Sequence, residues 1–171
     1  GLNLDLNKLS ISESPEILIA GCGTGQHAIT TASKYKKSRI LALDLSFKSL
    51  SYAKRKASEL NINNIDFIQG DILDLESIDR KFDIIESVGV LHHMDNPFKG
   101  WKILTSCLNN DSLMLVGLYS EKAREYITQI KNKINELKIQ SDYKNIIKFR
   151  KDLIENNNDQ WGHIKLSPDF Y

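Results

Sequence analysis

Short apolar runs alternate with helical patterns through the first 120 residues, which is typical of repeated βαβ units around a largely parallel sheet. The run Glu16–Ala20 is almost entirely apolar, as a strand buried on both faces should be, and it leads directly into glycines. Four further strands are predicted at Arg39–Leu43, Ile65–Ile68, Phe82–Ile85 and Leu113–Tyr119. The pattern therefore predicts an α/β fold.

Helical periodicity fills the connections between these strands. Residues 25–35 fit the first helix, and Ser46 can cap a second that runs to Leu60. A third is predicted to start at Asn96 and Pro97, because proline is favoured at the first helical position. Its predicted apolar face is Phe98, Trp101, Leu104 and Leu108, with Trp101 in the core.

From Ser120 the pattern changes to long helices without another strand. The apolar positions of these helices are Ala123, Ile127, Ile130, Ile134 and Leu137, then Tyr143, Ile146, Ile147, Leu153 and Ile154. The sequence thus predicts one domain over 1–171, with a core at 16–119 and a helical extension at 120–171. Length allows this, since 171 residues suit one domain of ordinary size.

Charge and composition exclude several classes of protein. The 23 basic and 22 acidic residues give a net charge of +1, which provides no overall attraction to nucleic acid or anionic lipid. No apolar run reaches the roughly 18 residues of a membrane span. Cys22 and Cys107 are far apart without a CxxC or Cys/His cluster, so neither a metal site nor a disulfide framework is indicated. We expect reduced thiols and a cytoplasmic protein.

Three glycines, Gly21, Gly23 and Gly25, lie between the first strand and the first helix. Bare backbone in this turn lets a ligand approach closely, and the free N–H groups of the helix start favour an anion. The dinucleotide fingerprint GxGxxG has its third glycine one place later, where this chain has Gln26. The compact GxGxG form favours a smaller anion such as a carboxylate, although a tight turn without a ligand is the alternative.

An acidic residue, Asp44, ends the second strand. Because the second strand lies beside the first in such sheets, this carboxylate can accept both hydroxyls of a ribose. The alternative is an aspartate that only caps the helix after Ser46. The glycine turn and Asp44 together indicate a cofactor that contains a nucleoside.

Two more segments follow strands at the same edge of the predicted sheet. Asp71 could accept from an adenine amino group while the N–H of Ile72 donates to a ring nitrogen; the alternative is a plain turn. The segment Glu86–His93 follows the fourth strand, where strand order should reverse and ligands of open α/β sheets bind.

These segments resemble the four successive cofactor motifs of the class I S-adenosylmethionine-dependent methyltransferases. They are ILIAGCGTG at 17–25, LALDLS at 41–46, FIQGDIL at 67–73 and FDIIESVGVLHHMDNP at 82–97, in the family's order and spacing. More narrowly, Gly117–Glu121 and Ser167–Phe170 resemble the methyltransferase domain that bacterial proteins carry beside tetratricopeptide repeats.

The resemblance implies a Rossmann-like, doubly wound sheet of strand order 3-2-1-4-5 with helices on both faces, and S-adenosyl-L-methionine as cofactor. It implies that Gly21, Gly23 and Gly25 surround the methionine part and that Asp44 holds the ribose. Asp71 and Ile72 would read the adenine edge, with Leu45 on its face. Ser87 and Val88 would offer backbone oxygens near the ammonium. A tetratricopeptide-repeat region in the parent chain is a further implication.

Methyl transfer from a sulfonium is an in-line displacement, so the protein contributes alignment and exclusion of water. A general base is needed only if the acceptor must lose a proton, and His92 and His93 are the candidates. Neighbouring side chains point opposite ways, which favours His93 as the residue facing the acceptor and His92 as packed. Both could equally be packing residues of the pocket wall, and His27 is interpreted as structural.

Three functions remain open on these residues. A methyltransferase acting on a small molecule or protein is favoured, because the Asn/Asp-Pro-Pro-Tyr motif of nucleic-acid methyltransferases is absent after the fourth strand. The alternatives are an NAD-dependent oxidoreductase and a non-catalytic cofactor-binding module. Because the class I fold has seven strands and five are visible, and because the chain starts at Gly1, we expect a segment of a longer protein.

Overall fold

The chain divides into two compact units, Gly1–Leu118 and Tyr119–Tyr171. The computed structural model describes residues 12–120 and 122–155. In these ranges the first unit contains a five-stranded sheet with its helices, and the second contains a pair of helices.

The sheet of the first unit is parallel throughout and has the order β3-β2-β1-β4-β5. Its strands are β1 (Glu16–Ala20), β2 (Arg39–Asp44), β3 (Ile65–Gln69), β4 (Phe82–Val88) and β5 (Leu108–Gly117). The predicted strand order is thereby confirmed. The order reverses between β1 and β4, which places the ligand crevice of such a sheet at their carboxyl ends.

Helices cover both faces of the sheet. Successive residues of β1 alternate between the two faces: Ile17 and Ile19 pack with α1 (Gln26–Lys34) and α2 (Phe47–Glu59). Leu18 and Ala20 pack with α3 (Pro97–Ser106) and with a short 3₁₀ helix at Ile72–Ser77. The doubly wound fold is therefore confirmed, although a 3₁₀ helix makes the crossover from β3 to β4.

Two helix starts have the predicted caps. The side chain of Ser46 accepts a hydrogen bond from the N–H of Ser49 at 3.2 Å. Asn96 Oδ1 accepts from the N–H of Lys99 at 3.0 Å, with Pro97 at the first helical position. Each cap satisfies one of the N–H groups that a helix leaves unpaired at its start.

The predicted buried face of α3 is wrong at Phe98 and Trp101, whereas Leu104 is buried as predicted. Phe98 is 79% exposed and Trp101 38% exposed, whereas Gly100, Ile103 and Leu104 are buried. Two residues rotate by about 200° around a helix, so a buried Gly100 directs Phe98 towards solvent. The absence of a side chain decides this orientation, because a Cβ on Gly100 would lie 2.5 Å from the sulfur of Met94.

Leu108, predicted on that helix, instead begins β5 and pairs with Phe82 of β4. The strand therefore starts five residues before the predicted Leu113 and ends at Gly117. The first residues after Leu108 in β5 are polar, so the hydrophobic pattern did not predict them as part of the strand. Asn109 is held there by a hydrogen bond from Nδ2 to Asp83 Oδ1 at 2.8 Å.

The second unit has the helical character predicted from Ser120. It contains α4 (Glu125–Glu136) and α5 (Tyr143–Glu155), and Ile130 and Leu153 are buried between partly buried apolar residues of the pair. Five of the predicted apolar positions are exposed instead: Ala123, Leu137, Tyr143, Ile146 and Ile154. No helix of the described ranges has the length and apolar character to cross a membrane.

Asn64 ties the end of α1 to the start of β2 and β3. Its Nδ2 lies 3.2 Å from the carbonyl oxygen of Ala32, 3.1 Å from that of Tyr35 and 3.3 Å from that of Ser38. The carbonyl of Tyr35 also accepts from the N–H of Ser38 at 2.9 Å and from its Oγ at 2.6 Å. The amide of Asn64 therefore matters most for the carbonyls of Ala32 and Ser38.

We expect Asn64→Ala to lower the free energy of unfolding by about 1–3 kcal/mol, because the partly buried carbonyls of Ala32 and Ser38 lose this donor. The adjacent Asn63→Ala is the matched control, since Asn63 is exposed, and it should change stability by less than about 0.5 kcal/mol. Urea unfolding followed by circular dichroism measures both. Equal stability of the two variants would contradict the assigned role of Asn64.

Candidate functional site

The turn between β1 and α1 is held against the end of β2. The N–H groups of Gly21 and Cys22 both donate to the carbonyl of Leu43, at 2.8 and 2.9 Å. Gly21, Gly23 and Gly25 have φ angles of 82°, 53° and 83°, in the left-handed region. Glycine reaches this region without the steric cost that a Cβ brings, so the motif is required by backbone conformation.

The three glycines differ in what surrounds them. A Cβ on Gly21 would lie 2.3 Å from a methyl carbon of Val90, and one on Gly25 would lie 2.5 Å from Cβ of Ala53. A Cβ on Gly23 would meet nothing within 4 Å. Gly21 and Gly25 thus permit close packing within the protein, while Gly23 faces open space where a ligand could approach.

Asp44 connects the glycine turn to the end of β2. Its Oδ2 accepts from the N–H of Gly23 at 2.7 Å, and its Oδ1 accepts from the N–H of Ser46 at 2.8 Å. Each carboxylate oxygen can accept a second hydrogen bond. The N-cap of α2 is Ser46 and not Asp44, and the two backbone bonds of Asp44 orient its carboxylate and leave it able to accept hydroxyls.

At the end of β3, Asp71 is the N-terminal cap of the 3₁₀ helix. Its Oδ1 accepts from the N–H of Leu73 at 2.9 Å, and Ile72 is buried beside it. Leu45, in the loop after β2, is 67% exposed. Its carbonyl accepts from Gln69 Nε2 at 3.0 Å, which fixes the loop to the end of β3.

A cavity of about 510 Å³ opens at the carboxyl ends of the strands. It is lined by residues from the loops after β1, β2, β3 and β4: Gly21, Leu43, Asp44, Leu45, Gly70, Asp71, Ile72, Leu73, Val90, His93, Met94, Asp95, Asn96 and Lys99. This first cavity brings together Gly21, Asp44, Leu45, Asp71, Ile72 and His93 of the predicted site.

A second cavity of about 470 Å³ shares Gly21 with the first. Its lining comes from β1, the glycine turn, α1 and the end of β4: Ile19, Gly21, Cys22, Gly23, Thr24, Gln26, His27, Thr30 and Val88. Of the predicted residues it contains Gly21, Gly23 and Val88. Gly25 lies against Ala53 instead, and Ser87 is fully buried in β4.

The adjacent histidines form a short 3₁₀ turn, Leu91–His93, after β4. Their Nε2 atoms are 3.1 Å apart and their ring centroids 4.2 Å apart. His93 is exposed and lines the first cavity, whereas His92 is half-buried. One imidazole donates to the other, so the orientation of His93 depends on His92.

Sequence reasoning missed a pair of residues beside the second cavity. His27 Nε2 lies 2.8 Å from Glu86 Oε2, and Thr31 Oγ1 donates to the same oxygen at 3.2 Å. Only 14% of the Glu86 side chain is exposed. The signal was present in the segment Phe82–Ser87, where Glu86 follows two isoleucines inside an interior strand of the sheet.

Cys22 of the glycine turn is a neutral thiol at physiological pH. Burial, together with the negative charge of Asp44, raises its pKa to about 12. Because the thiolate is the nucleophile of cysteine chemistry, a catalytic role for this side chain is disfavoured.

We expect Cys22 and Cys107 to resist iodoacetamide in the native protein at about pH 8.5, because burial raises both pKa values. Both should react once urea unfolds the chain, which serves as the control. Intact-mass spectrometry counts the added groups. Rapid modification of Cys22 in the folded protein would contradict its assignment as an inert thiol.

A family model for a methyltransferase domain matches residues 11–164. The chain belongs to this methyltransferase family. The match spans the sheet, both cavities and the described part of the second unit of the methyltransferase domain.

Named relatives include N-methyltransferases of two Papaver species. The domain is 32% identical over 109 residues to probable (S)-tetrahydroprotoberberine N-methyltransferase 2 of Papaver bracteatum, covering 64% of this chain and 30% of the relative. It is 29% identical over 125 residues to (S)-coclaurine N-methyltransferase of Papaver somniferum, covering 73% of this chain and 35% of the relative. The chain thus spans about a third of the length of these relatives.

Solved methyltransferase structures share the fold. PKMT2 from Rickettsia typhi in complex with AdoHcy superposes with a TM-score of 0.69 at 24% identity, covering 88% of this chain and 30% of that one. Coclaurine N-methyltransferase bound to N-methylheliamine and SAH gives a TM-score of 0.57 at 22% identity, covering 65% of this chain and 32% of that one.

Proposed function

We propose that this domain binds S-adenosyl-L-methionine and transfers its methyl group to an acceptor. The observation that carries the proposal is the position of Asp44, which is hydrogen-bonded to the glycine turn and lies on the wall of the first cavity. A carboxylate fixed by two backbone N–H groups beside a glycine turn is suited to a ribose. Membership of the methyltransferase family and the AdoHcy-bound structural neighbour support the same cofactor.

The two cavities fit the two ends of this cofactor. On the first, Asp44 would accept the ribose hydroxyls, Asp71 and the N–H of Ile72 would bind the adenine edge, and Leu45 would pack on the ring. On the second, open space at Gly23 gives the backbone access to a ligand. We propose that the methionine part lies there, near Val88, with the carboxylate towards the start of α1. That helix start has no side-chain cap and no acidic residue in its first turn.

When bound, the cofactor supplies a methyl group already activated by a sulfonium. The protein therefore has to align the acceptor and exclude water. Where the acceptor must lose a proton, we propose His93 as the general base, since it lines the first cavity beside the proposed cofactor residues. His92 would position it through the contact between their Nε2 atoms.

We propose a small-molecule amine as acceptor. The wall of the first cavity has Asp95 and one lysine, Lys99, beside Asp44 and Asp71, which we assign to the nucleoside. This excess of negative charge favours the approach of a cationic amine, which then has to lose a proton before it can attack. The N-methyltransferase relatives support the same class. A protein side chain remains the second acceptor class, because an amine at the end of a lysine would meet the same charges.

Isothermal titration with S-adenosylhomocysteine and with NAD tests the cofactor. We expect binding of the former and none of the latter; the reverse preference would support the oxidoreductase alternative and overturn the proposal. Binding of S-adenosylhomocysteine without methyl transfer would support the alternative of a non-catalytic cofactor-binding module. Incubation with cofactor carrying an isotopically labelled methyl group, against panels of amines and peptides, then identifies the acceptor by mass spectrometry.

We also propose that the domain functions in the cytoplasm, in a parent protein with a tetratricopeptide-repeat region. The support is the resemblance at Gly117–Glu121 and the two free, buried cysteines. The second resembling segment, Ser167–Phe170, lies outside the described residues. Detection of the native protein in cell fractions with an antibody to this domain would give its compartment and its mass.

A further inference from the structure

A partly buried carboxylate lies on the interior strand β4. Register pairing places Glu86 beside Ile19 of β1 on one side and Leu115 of β5 on the other. An ionised side chain between apolar neighbours is stable only if other groups compensate the lost hydration. Burial of the Glu86 carboxylate therefore costs folding free energy, which indicates that this residue has a function.

The partners of Glu86 occupy only one of its oxygens. Since a carboxylate accepts and does not donate, both His27 Nε2 and Thr31 Oγ1 donate to Oε2. In the described part of the chain, every hydrogen bond found for this side chain goes to Oε2. Oε1 is thus left as an acceptor for a group from outside the protein.

The second cavity lies on the same side of the sheet as this carboxylate. Alternate residues of a strand share a face, and paired residues of neighbouring strands do so too, so Glu86 shares its face with Val88 and Ile19. Both of these line the second cavity, as does His27 itself. Its remaining lining residues are uncharged side chains and glycines. The carboxylates bonded to its lining residues are Glu86, through His27, and Asp44, whose two oxygens already accept from the N–H groups of Gly23 and Ser46.

The geometry points to Glu86 as the residue that binds the α-ammonium of the cofactor's amino-acid end, with His27 and Thr31 as positioning residues. An ammonium group has three donors and a positive charge, which match a free carboxylate oxygen. The inference rests on the proposed function. It replaces the interpretation of His27 as structural by a role that acts through Glu86.

The test compares two ligands with the same nucleoside and thioether. S-adenosylhomocysteine carries the amino-acid end, and 5′-methylthioadenosine lacks it. In the unchanged chain, titration calorimetry should give tighter binding of S-adenosylhomocysteine. Glu86→Gln should weaken binding of S-adenosylhomocysteine by at least about tenfold, because the charge-assisted hydrogen bond to the α-ammonium is lost. The affinity for 5′-methylthioadenosine should stay within about twofold, because this ligand has no α-ammonium.

His27→Asn should weaken binding of S-adenosylhomocysteine by a smaller factor and again leave the affinity for 5′-methylthioadenosine unchanged. A merely structural pair would lower the melting temperature and weaken both ligands together, so the ratio of the two affinities separates the roles. Glu59→Gln is the matched control, since Glu59 is an exposed glutamate of α2 paired with Lys56, and it should alter neither affinity.

Changing the ligand instead of the protein tests the same contact if Glu86→Gln does not fold. The S-adenosylhomocysteine analogue without its α-amino group should bind the unchanged chain at least about tenfold more weakly than S-adenosylhomocysteine itself. Equal binding of this analogue, or equal weakening of both ligands by Glu86→Gln, would overturn the assignment of Glu86 while the proposed function stands. Failure of the unchanged chain to bind either adenosine ligand would overturn the proposed function and this inference together.

Discussion

Asp44→Ala is expected to weaken binding of S-adenosylhomocysteine by at least about tenfold. The variant removes a charged acceptor for two ribose hydroxyls, and hydrogen bonds to charged groups contribute about 1.5–3 kcal/mol each. It also removes the acceptor of the Gly23 N–H, so the glycine turn loses its link to the end of β2. Both effects reduce affinity, and isothermal titration measures their sum.

Asp66→Ala is the control for this experiment. Asp66 is an exposed residue of β3, paired with Leu41 of β2, and it does not line either cavity. Its replacement should leave the affinity within about twofold and the fold intact. If Asp44→Ala bound S-adenosylhomocysteine as tightly as Asp66→Ala does, the ribose would have to bind elsewhere.

Asparagine at position 44 separates the two effects. An amide has one acceptor oxygen and one NH₂ group, so it can satisfy only one of the N–H groups of Gly23 and Ser46 that the carboxylate now accepts. We expect Asp44→Asn to lose affinity as well, since the remaining oxygen cannot serve both the turn and a ligand.

The sheet was predictable because its strands carry the fold's strongest signal. Ile17 to Ala20 form a continuous apolar run, as a strand with helices on both faces requires, and each such run ends where a turn residue begins. The strand order came from the resemblance to a family and was confirmed. The hydrophobic pattern alone does not predict the strand order, since the pairing of strands depends on how the crossover connections pack.

The errors in the fold arose where packing depends on a missing or polar side chain. Gly100 sets the buried face of α3 by letting the helix approach Met94, which a hydrophobic pattern cannot register. After Leu108, the start of β5 consists of Asn109, Asn110 and Asp111, so it resembles a loop in sequence, and the side chain of Asn109 bonds to Asp83 of β4. Exposure of Phe98 and the early start of β5 both follow from such tertiary contacts.

For the site, the loops were predictable and the side-chain contacts were not. Asp44, Asp71 and His93 follow strands that end at one edge, and the topology of a parallel sheet places them together on one cavity. His27 and Glu86 are separated by 59 positions on α1 and β4, and their contact exists only after α1 packs on the sheet. No local spacing encodes it.

Two alanine substitutions in the glycine turn should affect different properties, Gly25→Ala mainly stability and Gly23→Ala mainly ligand affinity. Gly25→Ala places a Cβ 2.5 Å from Cβ of Ala53 and 3.2 Å from its Cα, at a φ of 83°. Ala53 is fully buried on α2, so it has no free space into which to move. We expect a loss of about 2–5 kcal/mol in the free energy of unfolding, from left-handed strain of about 1–2 kcal/mol and overpacking of about 1–3 kcal/mol.

Gly23→Ala meets nothing within 4 Å and has a φ of 53°, so only the left-handed strain of about 1–2 kcal/mol should apply. The new methyl group enters the space through which we propose that the cofactor approaches the backbone, and binding of S-adenosylhomocysteine should fall by at least about tenfold. Urea unfolding and titration on the same two variants measure stability and affinity separately. Normal affinity in Gly23→Ala would mean that this space is not used by the ligand, and normal stability in Gly25→Ala would mean that α2 packs less closely on the turn.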